Sequence, residues 1–259
     1  MAAWMNHASL GTIVLGVVLA IPALTTICVG IGFAQESVAK KRDRLIFDVP
    51  LGKGQLRHEM IGTLIFHLIF VPCAAVVWWK LARFTSGWRA DVATFLVCLY
   101  SFQIYYYGFH RAMHTDALYR FHKWHHRSHV MTPLAGLSMG PVEALGWTLG
   151  ILAPVVILGQ VGWLGAWGLL ALLAFHWYGN ITGHANADFT PKPFGTKLVS
   201  TFANPVTYHA LHHARFQGHY GFGAAYMDRL GHTEFSDWQE VHARVMTGRP
   251  LRRMGETVE

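Results

Sequence analysis

Two short runs of this chain repeat one spacing of histidine: in 122-HKWHH-126 and again in 209-HALHH-213, imidazoles stand at i, i+3 and i+4. Just before the first run, 109-FHRAMH-114 sets His110 and His114 four residues apart. Helical residues three or four apart share a face, with about 5–6 Å between Cβ atoms, so each run presents a stripe of ring nitrogens. His176, Asn180 and His184 form another stripe at i, i+4 and i+8, and twelve of the 17 histidines lie between positions 110 and 219. Imidazole suits iron, zinc, copper or nickel. A single ion takes about four to six ligands, so clusters of this size are better matched to two ions. Carboxylates are scarce beside them; the 110–126 block holds Asp116 alone. An all-imidazole set leaves iron open to dioxygen, whereas four histidines around zinc would make a closed, structural site.

The elements that must position these clusters are apolar. Of the 259 residues, 53% are hydrophobic and 14% charged, against roughly 25% charged in an ordinary soluble domain. Residues 10–34 carry no charge over a length sufficient to cross a bilayer. Further apolar runs cover 60–81, 92–108, 142–158 and 163–178, the last two separated by 159-GQVGWLG-165, which reads as the turn of a short helical hairpin. The predicted fold is therefore all-α: a multi-pass transmembrane bundle of about three long spans plus a short hairpin, under a His-rich helical cap. Placing 40-KKRDR-44 in the cytoplasm puts every Lys and Arg except Lys80, Arg83 and Arg89 on that side, together with the His clusters. The net charge of +7 is then topological and suits anionic headgroups; it is not a nucleic-acid footprint.

The remaining chemistry-bearing residues have plainer readings. Cys28, Cys73 and Cys98 sit inside apolar runs at no metal or disulfide spacing and read as packing residues. His7, His58, His232 and His242 are solitary and read as surface residues, while His67 stands alone in a span, as a core, pore or interhelical hydrogen-bonding histidine. Tyr105, Tyr106 and Tyr107 suit either the mouth of a lipid path or an interfacial aromatic belt. The ending 255-GETVE-259 carries no KDEL-like signal.

In their order, 110-HRAMH-114, 122-HKWHH-126, 184-HAN-186, 209-HALHH-213, 219-HYG-221 and 228-DRL-230 resemble the fatty acid hydroxylase / sterol desaturase superfamily over residues 95–235. The resemblance implies a membrane enzyme with two non-haem irons that uses dioxygen as co-substrate. It would hydroxylate, desaturate or otherwise oxidise a C–H bond of a lipid such as a fatty acyl chain or sterol. It implies ligation by His110, His114, His122, His125, His126, His184, His209, His212 and His213, with no catalytic residue beyond these. Asn180 stands where some relatives have another histidine. His219 replaces the Asn usual before the Tyr-Gly pair, as an extra ligand or as a donor that orients one. His129 and His176 are expected behind the ligands, and Met227 replaces the indole of the relatives' Trp-Asp-Arg.

The implied organisation is a membrane segment with its basic loop (1–94), a di-iron unit (95–235) and a C-terminal cytoplasmic tail (236–259). No haem, flavin or iron–sulfur motif is visible, so electrons are expected from a separate ferredoxin- or cytochrome-like donor docking on the basic face. The expected location is a bacterial inner membrane, with the site on the cytoplasmic face. Two rival readings are a haem-binding membrane cytochrome and a non-catalytic metal-binding or transport protein. The first needs only a few deep histidines, and the second wants ionisable ligands within the spans.

Overall fold

The structure is a computed structural model that describes residues 1–257; the last two residues of the expected tail, and of the 255–259 ending, lie outside the described residues. Eleven α-helices are present among the described residues: α1 (Ala2–His7), α2 (Leu10–Lys41), α3 (Gln55–Val76), α4 (Trp88–Met113), α5 (Tyr119–His122), α6 (Pro141–Gln160), α7 (Ala166–Thr182), α8 (Lys197–Ser200), α9 (Val206–Arg215), α10 (Tyr226–Leu230) and α11 (Trp238–Met246). Four are long and apolar enough to cross a membrane: α2, α3 with the π-helical turn that extends it to Leu81, α4 and α6. The protein is an integral membrane protein.

Each span starts and stops for a local reason. Ser9 caps α2, its hydroxyl accepting the Thr12 N–H at 3.2 Å, and Lys40 and Lys41 close the last turn, where cations suit the carbonyl end of the helix dipole. At 1.5 Å per residue α2 is about 48 Å long, well beyond a hydrocarbon core of about 30 Å. Its final turns therefore project toward the histidines, and Glu36 Oε1 accepts the Asn186 N–H at 2.9 Å. Aromatic rings seal the bundle interior. Phe66, Phe70, Phe102, Trp147 and Trp177 are buried together and mostly meet edge to face.

A second core lies in the cap, where Ile46 and Phe47 from the basic loop pack with Tyr208 and Leu211 of α9 and with Trp238, Val241, Val245 and Leu251. The loop is pinned there: Phe47 N–H donates to Asn186 Oδ1, Asn186 Nδ2 donates back to the Phe47 carbonyl, and Asp48 N–H donates to the Leu251 carbonyl. Loop 42–54 and the histidine segments thus share one side. The segment expected as a C-terminal tail is part of that cap core.

Three expectations need correction in detail. The hairpin's first arm is longer than the 142–158 run, because Gly159 continues α6 as a point of close approach; a Cβ there would meet the Arg83 amide nitrogen at 3.0 Å. The chain turns instead at Gly162, whose φ of +74° favours glycine. The fold is the expected all-α bundle, and beside the hairpin turn Phe84–Thr85 and Leu164–Gly165 add a minimal two-stranded parallel sheet, too short to show a pattern in sequence. Finally, two of the four histidines read as surface residues are buried: His58 stacks on Trp124 at 4.1 Å between ring centroids, and His242 Nδ1 lies 3.3 Å from Asp188 Oδ2. His67, by contrast, makes the interhelical contact its position allows, to Thr25 Oγ1 at 2.9 Å.

Candidate metal centre

All nine histidines carried over as ligands converge, in two adjacent clusters. His110, His114, His122, His126 and His212 form one, and His125, His184, His209 and His213 the other; within each, the ligand atoms lie within 4.8 Å of one another. The two HxxHH runs divide reciprocally. The i, i+4 pair of the first run, His122 and His126, joins the five-histidine cluster while His125 turns away to the other. In the second run the pair His209 and His213 belongs to the four-histidine cluster and His212 crosses over. Four segments supply the rings: the end of α4, the turn from α5 through the 3-10 helix His125–Arg127, the residues after α7, and α9.

Backbone carbonyls fix the ring tautomers. A carbonyl can only accept, so a ring nitrogen bonded to one must carry the proton. On that ground Nδ1–H donates from His110 to Tyr220 O (2.9 Å), His125 to Ser138 O (3.3 Å), His184 to Asn180 O (2.6 Å), His212 to Gly218 O (2.7 Å) and His213 to Ser128 O (3.1 Å). His122 Nδ1 lies 2.9 Å from Glu143 Oε1, both side chains being buried. In each of these rings the Nε2 lone pair is left free, the arrangement that orients metal-binding histidines.

The free nitrogens then face one another. Nε2 separations are 3.0 Å for His110–His122, 3.1 Å for His114–His126, 3.0 Å for His126–His212 and 2.9 Å for His184–His209. In His110–His122 both lone pairs point into the same gap, which is repulsive unless a cation sits between them. Two nitrogens 3.0 Å apart can both reach one ion at a bond length of about 2.1 Å. His125 Nε2 and His213 Nε2 are buried with no hydrogen-bond partner among the described residues. The donor set fits two metal ions.

Electrostatics agree with that fit. Burial, reinforced by the neighbouring imidazoles, pushes His114 down to about 2 and His184 down to about 3. Burial likewise lowers His125 to about 4, and His122, His126, His209, His212 and His213 are all held well below the ordinary imidazole range by burial first and neighbouring histidines second. The rings are neutral near pH 7, the form that ligates.

The four further candidates stand outside both clusters. Asn180 Nδ2 donates to the Gly136 carbonyl at 2.5 Å, and its own carbonyl orients His184. His219 has both nitrogens engaged: Nδ1 donates to Tyr208 O at 2.8 Å, and Nε2 accepts the Phe235 N–H at 2.9 Å. Its φ of +55° is a left-handed conformation tolerated by Asn and His alike, which accounts for the exchange at this position. His176 is buried against Phe102 and Phe222 with neither nitrogen hydrogen-bonded among the described residues, and His129 is exposed beside Phe216. Asp228 supports the 219–221 turn, its carboxylate accepting Tyr220 N–H, Gly221 N–H and the Thr233 hydroxyl; burial raises it to about 6.

Sequence reasoning missed Glu143, although a lone carboxylate in an otherwise apolar span was a legible signal. A cavity of about 410 Å³ reaches His184 and His209, but its α4 wall is Leu99, Tyr100 and Gln103, not Tyr105–Tyr107.

Comparison with known proteins gives this geometry a family. The chain is 28% identical over 233 residues to "Very-long-chain aldehyde decarbonylase GL1-4" of Oryza sativa subsp. indica, a match covering 84% of this chain and 36% of that protein. It is 27% identical over 203 residues to "Protein CER1-like 1" of Arabidopsis thaliana, covering 73% and 31% respectively. The chain thus spans about a third of the length of these curated relatives. No solved structure matches it. The fatty acid hydroxylase profile matches residues 95–233, more than half of the sequence and all nine clustered histidines, so the chain belongs to the fatty acid hydroxylase family.

Proposed function

We propose that this protein is a membrane-bound di-iron enzyme that oxidises a lipid with dioxygen and two externally supplied electrons, its catalytic unit lying within residues 95–235. The observation that carries this reading is the pair of buried imidazole clusters with inward-facing Nε2 atoms about 3 Å apart. His110, His114, His122, His126 and His212 would hold one ion, and His125, His184, His209 and His213 the other. When bound, the iron pair supplies the oxidising chemistry that breaks an unactivated C–H bond, which no side chain can do alone.

The chain's own residues bind, orient and exclude water. Carbonyls of Tyr220, Ser138, Asn180, Gly218 and Ser128 hold each Nδ1–H so that Nε2 faces the ion. Glu143 does the same for His122 and adds negative charge behind it. Aromatic packing of Phe102, Tyr106 and Phe222 keeps the membrane side of the clusters dry. His184 and His209 of the four-histidine cluster border the cavity, so a lipid held there would lie beside the ion that this cluster would hold.

The names of the rice relatives favour a second reading of the same site, one in which the lipid is a long-chain aldehyde and loses its terminal carbon. The oxidative reading needs electrons from a separate donor, for which the basic loop and cap offer a docking face. Topological charge supports a cytoplasmic face for the site.

The test is metal content per chain on detergent-purified protein, with an absorption spectrum alongside. About two irons and no Soret band are expected, and His125→Ala should lose metal and all activity. Haem, absence of bound metal, or a fully active His125→Ala enzyme would overturn the reading.

A further inference from the structure

One part of the cap lies deeper than the rest. Between Asp91 and Arg111, α4 carries no Asp, Glu, Lys or Arg, a stretch of about 30 Å that matches the hydrocarbon thickness of a bilayer. Val92, Leu96, Tyr100 and Ile104 are exposed along it. Cap residues pack beside the half of this stretch nearer the histidines. Phe222 meets Phe102 and Tyr106 at 5.1 and 5.2 Å between ring centroids, and Tyr220 meets Tyr107 at 6.4 Å. Phe202 shares a cavity wall with Leu99 and Tyr100.

The short helices α8 and α10 hold this part together. Ala225 N–H donates to the Ser200 carbonyl at 2.9 Å, and Asn204 N–H to the Gly223 carbonyl at 2.8 Å. The Arg229 guanidinium donates to the Lys197 carbonyl at 2.5 Å and to the Ser200 hydroxyl at 2.7 Å. The outer face of the unit is nonetheless apolar. Leu198 is 77% exposed, Leu230 73% and Phe202 66%, whereas the most exposed large apolar side chain on the four spans, Trp88, reaches 71%. An apolar patch of this kind marks a surface that another apolar phase covers. Beyond Leu230 no large apolar side chain is exposed among the described residues, so α11 and the chain around it lack such a patch.

We propose that the α8–α10 unit is a wedge seated in the bilayer leaflet on the histidine side, with Leu198, Phe202 and Leu230 among the acyl chains. Depth selects lipid as the occupant, because the patch continues through Phe202 and Tyr100 into the lipid-facing surface of α4. The bonds that join α8 to α10 satisfy backbone groups for which acyl chains offer no partner. Lys197, exposed beside Leu198, can lay its stem along the apolar face and keep its ammonium at the headgroups. The wedge follows from the membrane spans alone and does not require the proposed reaction.

The experiment places a nitroxide on single cysteines of the full chain, reconstituted into vesicles of phosphatidylcholine and phosphatidylglycerol. Cys73→Ser first removes the one native thiol that is not buried. Labels go at Leu198→Cys and Leu230→Cys, with Val97→Cys on the exposed face of α4 as the lipid reference and Glu240→Cys on α11 as the water reference. All four positions are exposed, so these substitutions leave the packing intact. Relaxation of each label by oxygen, which concentrates among acyl chains, is compared with relaxation by a water-soluble nickel chelate. Leu198→Cys and Leu230→Cys should lose nickel relaxation to the level of Val97→Cys and keep its strong oxygen relaxation. Nickel relaxation closer to that of Glu240→Cys would overturn the proposal and leave the patch in water. Shielding from both reagents would overturn it as well, in favour of a protein partner or a second copy of the chain over the patch.

Discussion

Replacing Glu143 by Gln should move metal affinity and metal-free stability in opposite directions. Glu143 is 3% exposed; Oε1 lies 2.9 Å from His122 Nδ1, and Oε2 has no hydrogen-bond partner among the described residues. With a divalent ion on the far side of His122, this carboxylate completes a carboxylate–histidine–metal relay. Such partners are typically worth 10–100-fold in metal affinity, or about 1.4–2.7 kcal/mol. Without the ion the same group is a buried acid facing a neutral ring; near pH 7 it must either keep a buried charge or take up a proton to fold, and either course costs several kcal/mol that a neutral amide does not pay. Gln keeps the shape and one acceptor oxygen but drops the charge. Dialysis against graded chelator, followed by metal analysis, should find Glu143→Gln losing metal at about 10–100-fold lower chelator concentration than the parent. The metal-stripped variant should melt higher than the metal-stripped parent. Unchanged chelator resistance, or a metal-stripped variant that melts lower, would refute the role given to Glu143.

Gly32→Ala should destabilise the protein by about 1–3 kcal/mol, as overpacking does, because its Cβ would meet Pro133 Cγ at 2.6 Å; thermal unfolding in detergent measures it. The displaced turn also carries the Ser138 carbonyl that holds His125, so metal at the four-histidine site should loosen too. His219→Asn should keep both ions, since Asn tolerates the left-handed backbone; loss of one ion on metal analysis would make His219 a ligand. For the metal-free protein, His114, His125 and His184 have folded values of about 2, 4 and 3, below the unfolded value of about 6.5. The unfolded chain takes up protons first as pH falls, so the stability is whole above pH 6.5. It should decline below that by about 1.4 kcal/mol per pH unit for each histidine until the folded values are reached. A melting temperature flat from pH 7 to 5 after metal removal would contradict this.

The nine clustered histidines were legible because helical spacing at i, i+3 and i+4 is a local property of the chain. Their allotment to two clusters was not, since it depends on which way His125 and His212 turn relative to their own runs, and packing decides that. The carbonyls of Ser128, Ser138, Gly218 and Tyr220 that set the tautomers carry no side-chain signal at all. His58 and His242 were misread because burial of a solitary histidine comes from distant partners, Trp124 and Asp188. Spans were readable from composition, but Gly159 looked like a helix breaker when its role is to let α6 approach the 81–83 backbone. From type alone His219 could be an extra ligand or a donor that orients one; its backbone conformation and two hydrogen bonds are tertiary facts.

The reciprocal division of the two HxxHH runs has a consequence for assembly. Neither cluster is complete until α9 has docked against the 122–126 turn, because each run supplies rings to both. The first ion to bind therefore bears the entropy of closing the long loop between these segments, which grows only slowly with its length. The second ion finds that loop already closed and its remaining rings in place. Metal uptake should be positively cooperative: partly loaded cells would yield a mixture of empty and doubly occupied chains, with few chains holding one ion.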